Sequence, residues 1–269
     1  MKTTIIAIGK NEELYLDEWI TYHLNLGFDK IFFIDNNESK NREQEKICSK
    51  YKNVECIVKY FSNNQLGLQS SLYIEIYNKI KSEYDWIAFL DIDEFINLKG
   101  KDIKTFLMQS CFSDASEILI NWKNFGDNDL VYYENIPVRV RFTKPYENTQ
   151  CYSQNFPENE VVKCLLRGNL NILKHEIHTV KIENETKIKN SDGKIIERKW
   201  RQPISYDNAF IEHYETKTLD EYIRRKILNK NKMNVANPPD SLKRLNWFFN
   251  VNKHSEEKDV LYNFIKSKL

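Results

Sequence analysis

Glycine and proline are scarce, seven and six in 269 residues. So little of either argues against collagen-like, low-complexity or disordered chains. Cysteine is also sparse. The five, Cys48, Cys56, Cys111, Cys151 and Cys164, are odd in number and none stands in a Cys-x-x-Cys pair. Free thiols in a reducing compartment are the simplest reading. Neither charge sign dominates: the formal net charge is +1, which gives no electrostatic argument for nucleic acid. No apolar run approaches the length of a membrane span. The short one at residues 3–8 is too brief for the core of a secretory signal, and no suitable cleavage site follows it. No internal repeat is present. A cytoplasmic protein, or one peripheral at the inner face of a membrane, is the expectation.

What is there suits a folded globule: 41% of residues are hydrophobic and 13% aromatic. The length fits one sizeable α/β domain or two small ones. Residues 3–8, 30–34, 54–58 and 86–90 read as strands. Helical stretches alternate with them at 12–26, 42–50 and 69–80. Leu16, Trp19, Ile20, His23 and Leu24 share one side of the first, Gly27 is its stop, and Leu72, Ile76 and Ile80 point inward from the third. Strands alternating with helices predict a mostly parallel sheet covered on both faces. Ligands of such sheets bind at the carboxyl ends of the strands. Three polar clusters, residues 9–12, 35–39 and 91–94, fall at those ends.

The pattern changes after Gly100. Residues 103–109 suggest a short helix, 117–122 and 138–142 strands, and 161–166, 179–182, 195–197 and 210–213 weaker strands. Residues 144–160 have no period and read as a long loop, and 184–194, with Ser191-Asp192-Gly193, as a turn. Residues 218–229 are helical, with Thr218 as N-cap and Asp220 and Glu221 in the first turn. Residues 241–249 and 256–268 read as closing helices.

Asp91-Ile92-Asp93-Glu94-Phe95 follows the apolar strand that ends at Leu90. Two carboxylates two residues apart on extended backbone point to one side. At a strand end they can hold a hard divalent cation through oxygen, and such a cation neutralises a departing diphosphate. An isolated Asp-x-Asp is more often a solvated strand end, so its surroundings decide.

Those surroundings carry a resemblance. Lys10-Asn11-Glu12, the helix segment Glu18-Trp19-Ile20-Thr21-Tyr22-His23 with Gly27, Asp35-Asn36-Asn37-Glu38-Ser39, Asp91-Ile92-Asp93-Glu94-Phe95, Trp122-Lys123-Asn124-Phe125-Gly126 and His213-Tyr214-Glu215-Thr216-Lys217 occur in this order. Together they resemble GT-A-type glycosyltransferases, most of all the bacterial family-2-like enzymes related to family 92. Thr218 stands where that pattern has Ser. The resemblance implies a GT-A (Rossmann-like) fold, a mostly parallel central sheet flanked by helices, with C-terminal helices. It implies one domain over 1–269: a nucleotide-binding half (1–100), a half completing the metal and acceptor sites (101–216) and a C-terminal helical segment (217–269).

The resemblance also distributes roles. Mn²⁺ or Mg²⁺ would be held by Asp93, Asp91 and His213, with Asp93 the firmer ligand; a neutral imidazole can complete such a set. Asn11, Glu12, Asp35, Gln69, Asp91 and Lys217 would contact the nucleotide or its diphosphate. Asp35 can accept from uracil or ribose, or it can close an Asx turn. Trp122, Phe125 and His178 would line the sugar pocket. Asp127, then Asp129, is the candidate base, against a plain turn at residues 126–129. His175 and His178 lack the spacing of a zinc protease. From Lys217 onward twelve Lys or Arg face six Asp or Glu, which reads as a solvated basic helix face or as a contact with an anionic membrane.

The function implied is transfer of a hexose, galactose by family resemblance, from a UDP-sugar to a glycan or lipid-linked glycan, with inversion. A phosphatase would place its Asp-x-Asp near the first strand. A sugar nucleotidyltransferase would carry a glycine-rich basic loop there, which Gly9-Lys10-Asn11-Glu12 is not. A non-catalytic relative would lack the metal set.

Overall fold

A computed structural model describes residues 1–37, 40–59, 67–145, 158–183, 187–228 and 241–252. In chain order its elements are β1 (Thr3–Gly9), α1 (Leu16–Asn25), β2 (Lys30–Asp35), α2 (Glu43–Cys48), β3 (Val54–Val58), α3 (Leu68–Ile80), β4 (Trp86–Leu90), β5 (Glu94–Asn97), α4 (Ile103–Leu107) and β6 (Glu117–Asn124). There follow α5 (Val138–Arg141), β7 (Val162–Arg167), β8 (Ile172–His175), β9 (Val180–Ile182), β10 (Ile188–Asn190), β11 (Phe210–His213), α6 (Leu219–Tyr222) and α7 (Ser241–Val251), with a π-helical turn at Ile223–Leu228.

Nine strands form one sheet in the order β3-β2-β1-β4-β7-β6-β11-β5, with β10 beside β6. Its first four strands are parallel. Strand β7 runs antiparallel to both β4 and β6. This is the α/β architecture, a large central sheet flanked by helices, that the GT-A resemblance implies. Alternate residues go to opposite faces, as a period of two requires. Ile5, Ala7, Ile31, Phe33, Ala88 and Leu90 pack beneath α1 and α4. Ile6, Ile8, Phe32, Ile34, Ile87 and Phe89 pack against α3 and the β8–β9 hairpin. Burial on both faces is why the parallel strands read as unbroken apolar runs. A third, smaller cluster joins α6 to α7 through Leu219, Tyr222, Leu245 and Phe248.

Several expectations are corrected. Residues 138–142 are not a strand: Val138–Arg141 makes one helical turn, whose first N–H groups donate to the Glu18 carboxylate at 2.7 and 3.3 Å. A carboxylate at a helix N-terminus is favourable, and that contact overrides the alternating Val-Arg-Val-Arg pattern. Residues 195–197 form only an isolated bridge, Lys189 with Ile195. Within the expected turn at 184–194 lies β10. Thr218 does cap α6, in a capping box with Glu221. The helix expected at 256–268 and most of the loop at 144–160 lie outside the described residues.

Candidate active site

The register brings the three polar clusters to one edge. Gly9 pairs with Asp35, and Ala7 with Leu90, so residues 10–12, 35–37 and 91–93 leave the sheet side by side. Sequence distance is closed by β11, which lies between β6 and β5, pairing His213 with Asn124 on one side and with Glu94 on the other. The Tyr214 N–H then donates to the Asp93 carbonyl at 2.9 Å. His213 and Asp93 therefore face each other, with Nε2 3.8 Å from Oδ1.

His213 is held as a neutral imidazole. Asn124 Nδ2 donates to Asn159 Oδ1 at 2.8 Å, which leaves Asn124 Oδ1 to accept the His213 Nδ1 proton at 2.6 Å. The lone pair is then on Nε2, toward Asp93, the arrangement by which a partner on one ring nitrogen fixes the other for a metal. Burial lowers the His213 pKa, against the opposing pull of Asp93.

Asp93 is ringed by cations. Its Oδ2 lies 3.2 Å from Arg225 Nη2 and 4.0 Å from Lys217 Nζ. Burial alone would raise its carboxyl, but the Lys217 and Arg225 charges pull it far below the usual carboxylate range. Lys217 is itself buried, with its backbone at φ 54° and its ammonium 4.4 Å above the Tyr15 ring. Burial and the neighbouring Arg225 charge push that ammonium down to about 7. Arg225 also meets Glu12 Oε1 at 3.2 Å, tying the β1 end to the β4 end.

Asp91 is engaged differently. Lys163, fully buried on β7, reaches its Oδ2 at 2.6 Å, and Gln69 donates to its Oδ1 at 3.0 Å. Burial would raise the Asp91 carboxyl, but Lys163 brings it down overall. Glu94, without exposure, stands 3.4 Å from Lys163 Nζ and accepts from Trp122 Nε1 at 2.9 Å. Burial pushes the Glu94 carboxyl well up.

The residues that follow β1 and β2 are assembled at the same edge. Asp35 makes the Asx turn, its Oδ1 accepting from the Asn37 N–H at 2.9 Å and from Gln44 Nε2 at 2.6 Å. The Asn11 N–H donates to Asn37 Oδ1 at 2.7 Å with Asn11 in the left-handed region, which asparagine tolerates. Among the described residues, Glu12 Oε2 and Asn36 Oδ1 are buried acceptors without a hydrogen-bond partner. Such groups cost free energy unless something donates to them.

On the other side, the Trp122 ring stacks on His213 with centroids 4.0 Å apart, and His178 meets Trp122 edge-on at 5.3 Å. Phe125 instead stacks on Tyr214 at 5.1 Å, against the core. Asp127 is buried in a turn. Its Oδ1 accepts from the Asp129 N–H at 3.0 Å, and its own N–H donates to Asn252 Oδ1 at 2.8 Å. His175 is a core histidine, edge-on to Phe89 and Tyr73, whose Nδ1 accepts from Ile177 at 3.1 Å.

No family model matches the chain. Curated relatives do. A glycosyltransferase family 92 protein of Oryza sativa subsp. japonica is 26% identical over 99 residues, 36% of this chain and 16% of that protein. Another, of Ricinus communis, is 28% identical over 145 residues, 49% of this chain and 24% of that one. Over these stretches the chain is similar to proteins named glycosyltransferase family 92. It spans about a quarter or less of the length of those family 92 proteins. Among solved structures, S. aureus TarS 1–349 in complex with UDP is 19% identical, with a TM-score of 0.38, covering 62% of this chain and 47% of that one.

Three residues that meet Asp91, Asp93 or His213 carry no signal in the resembling motifs. Lys163 was a lone lysine inside the apolar run Val161-Val162-Lys163-Cys164-Leu165-Leu166, which was the available signal. Asn124 lay inside the quoted Trp122 motif without a role. Arg224, Arg225 and Lys226 belong to the basic tail that begins at Lys217, yet only Arg224 is largely exposed, with 66% of its side chain in solvent; Lys226 pairs with Glu215 at 3.5 Å. Lys230 and Lys232 lie outside the described residues.

The donor set suits a divalent cation in part. Among the described residues no three His, Cys, Asp or Glu side chains converge on one point. Asp93 Oδ1 and His213 Nε2, 3.8 Å apart, can both reach a cation bound about 2.1 Å from each. Diphosphate oxygens and water are the usual remaining ligands of Mg²⁺-type sites.

Proposed function

We propose that the chain is a metal-dependent glycosyltransferase that moves a hexose, galactose in the first instance, from a UDP-sugar to a glycan or lipid-linked glycan. The observation that carries this is the pairing of Asp93 with a neutral His213 at the strand ends, beneath Lys217 and Arg225. Kinship to family 92 supports it. The partnerless acceptors Glu12 Oε2 and Asn36 Oδ1, at the same edge, suit a donor-bearing nucleoside. Asp93 and His213 would hold Mn²⁺ or Mg²⁺, which supplies charge neutralisation to the departing diphosphate. Lys217 and Arg225 add positive charge on the leaving-group side. Trp122 and His178 present ring surface to the sugar. Asp127 takes the proton of the acceptor hydroxyl as that oxygen bonds to the anomeric carbon. The carbon's bond to the diphosphate oxygen breaks, and UDP departs with the electron pair. Displacement from the opposite side inverts the centre.

The four described cysteines, Cys48, Cys56, Cys111 and Cys164, are free, which suits a cytoplasmic setting. Among the described residues no helix is long and apolar enough to cross a membrane. A peripheral contact with anionic lipid would rest on Arg224 and on the basic residues beyond 228.

A panel of UDP-sugars assayed for UDP release, with and without Mn²⁺ and an oligosaccharide mixture, tests the reading. The expected result is metal-dependent UDP release from a UDP-hexose, abolished in a folded Asp93→Ala protein. Turnover to a sugar phosphate and UTP when pyrophosphate is added would instead mark nucleotidyl transfer. Undiminished, metal-independent turnover by Asp93→Ala would overturn the assignment.

A further inference from the structure

We propose that Trp200 forms an outer acceptor subsite that stacks a pyranose ring of the glycan, an inference that rests on the glycosyltransferase reading above. Four rings run in file from the metal-side histidine to the surface. His213 stacks on Trp122 at 4.0 Å, Trp122 meets His178 at 5.3 Å, and His178 lies nearly parallel to Trp200 at 6.0 Å and 29°. The first three are buried or half-buried, while Trp200 is 49% exposed.

A single exposed aromatic is ordinary on a protein surface. This one is held in place. The Trp200 carbonyl accepts from the Val162 N–H at 3.2 Å, one residue before Lys163, and Arg201 bridges to Val161. The Arg201 guanidinium sits 4.3 Å from the Trp200 ring centroid and pairs with Glu158 at 3.4 Å. The indole is thus fixed by backbone and by a cation–π contact, with half its surface in water. The chain also places His178 at a conformational cost. Ile177, a β-branched residue, has φ 67°, a backbone region such residues rarely enter unless their surroundings hold them there. Two hydrogen bonds close this turn, from Ile177 N–H to His175 Nδ1 at 3.1 Å and from His178 N–H to Glu176 O at 2.7 Å.

A row of rings that ends in a half-exposed indole, with the Arg201–Glu158 pair over that ring, matches the chemistry of a pyranose on the indole surface left in water. Its C–H face stacks on an aromatic ring while its hydroxyls reach polar groups at the edge. Trp122 would serve the sugar unit nearest the transfer, and Trp200 a unit further from it.

Two measurements test this on the full chain: binding to an array of hexose and N-acetylhexosamine oligosaccharides, and calorimetric UDP binding with Mn²⁺. The expected result is that Trp200→Ala weakens the array signal of the wild type about tenfold, the loss of a stacking contact. Trp200→Phe restores most of it, and both variants bind UDP as the wild type does. The subsite is overturned if Trp200→Ala keeps its array binding, if it loses UDP binding to the same extent, or if the wild type binds no oligosaccharide. A wild type that binds oligosaccharide through Trp200 but not UDP would support the subsite and sink the donor reading, so the two fail separately.

Discussion

Replacing Lys163 by Met removes a fully buried ammonium while keeping a stem of similar volume. In the native protein that ammonium stands 2.6 Å from Asp91 Oδ2 and 3.4 Å from Glu94 Oε1. Breaking a buried ion pair on one side costs about 3–5 kcal/mol, most of it the stranded charge. Asp91 retains 33% side-chain exposure and the Gln69 hydrogen bond, so water takes over part of the lost role there. Glu94 has no exposure and escapes the penalty by taking up a proton. The expected destabilisation at pH 7 is therefore below that full range, about 2–3 kcal/mol. Its pH dependence follows from the sign of the shift. Glu94 already titrates well above its ordinary 4.5 in the folded chain, chiefly through burial, and loss of Lys163 raises it further. An acid raised on folding contributes stability below its unfolded value and loses it as pH climbs through the folded one. The gap between wild type and Lys163→Met should thus widen from pH 5.5 to pH 8. Urea unfolding followed by tryptophan fluorescence at both values measures it. A loss under about 1 kcal/mol, or a gap that narrows with rising pH, would refute the buried triad.

Other consequences are as definite. Arg225→Ala removes the cation 3.2 Å from both Glu12 and Asp93. Nucleotide-free protein should then bind Mn²⁺ about tenfold more tightly by electron paramagnetic resonance titration; equal or weaker binding would contradict Arg225 as a competitor for Asp93. Glu117 is raised from 4.5 to about 6, chiefly by burial, against the Arg198 charge. Stability should therefore fall by about 2 kcal/mol as pH rises across that interval, and Glu117→Gln should abolish this fall in urea titrations.

The parallel strands β1, β2 and β4 were legible because burial on both faces forces continuous apolar runs, whereas the edge strand β3 is only half-buried and carries Glu55 to solvent. That Asp91 and Asp93 leave the sheet beside residues 10–12 and 35–37 was legible because both follow the apolar run of β4. Strand β5 was not, since four residues carry little pattern and its partner β11 lies more than a hundred residues away. The helical turn α5 was misread because its decisive contact, the Glu18 carboxylate, comes from another element. Lys163 and Arg225 show the same limit. A basic residue in the chain has no readable partner until the register of β7 against β4, or the turn after α6, places a carboxylate beside it. The sequence leaves Asp35 open to a ligand contact or an Asx turn; the turn is present, with Gln44 as second donor.

On the proposed function, Asp93 and His213 would share one divalent cation against the diphosphate of a UDP-sugar. Crystals soaked with MnCl₂ and UDP, with diffraction collected at the manganese edge, decide this. One anomalous peak is expected within bonding distance of Asp93 Oδ1 and His213 Nε2 and of both UDP phosphoryl groups. Manganese bound elsewhere, or UDP seated at this edge with only Lys217, Arg225 and Lys163 for counter-charge, would contradict it.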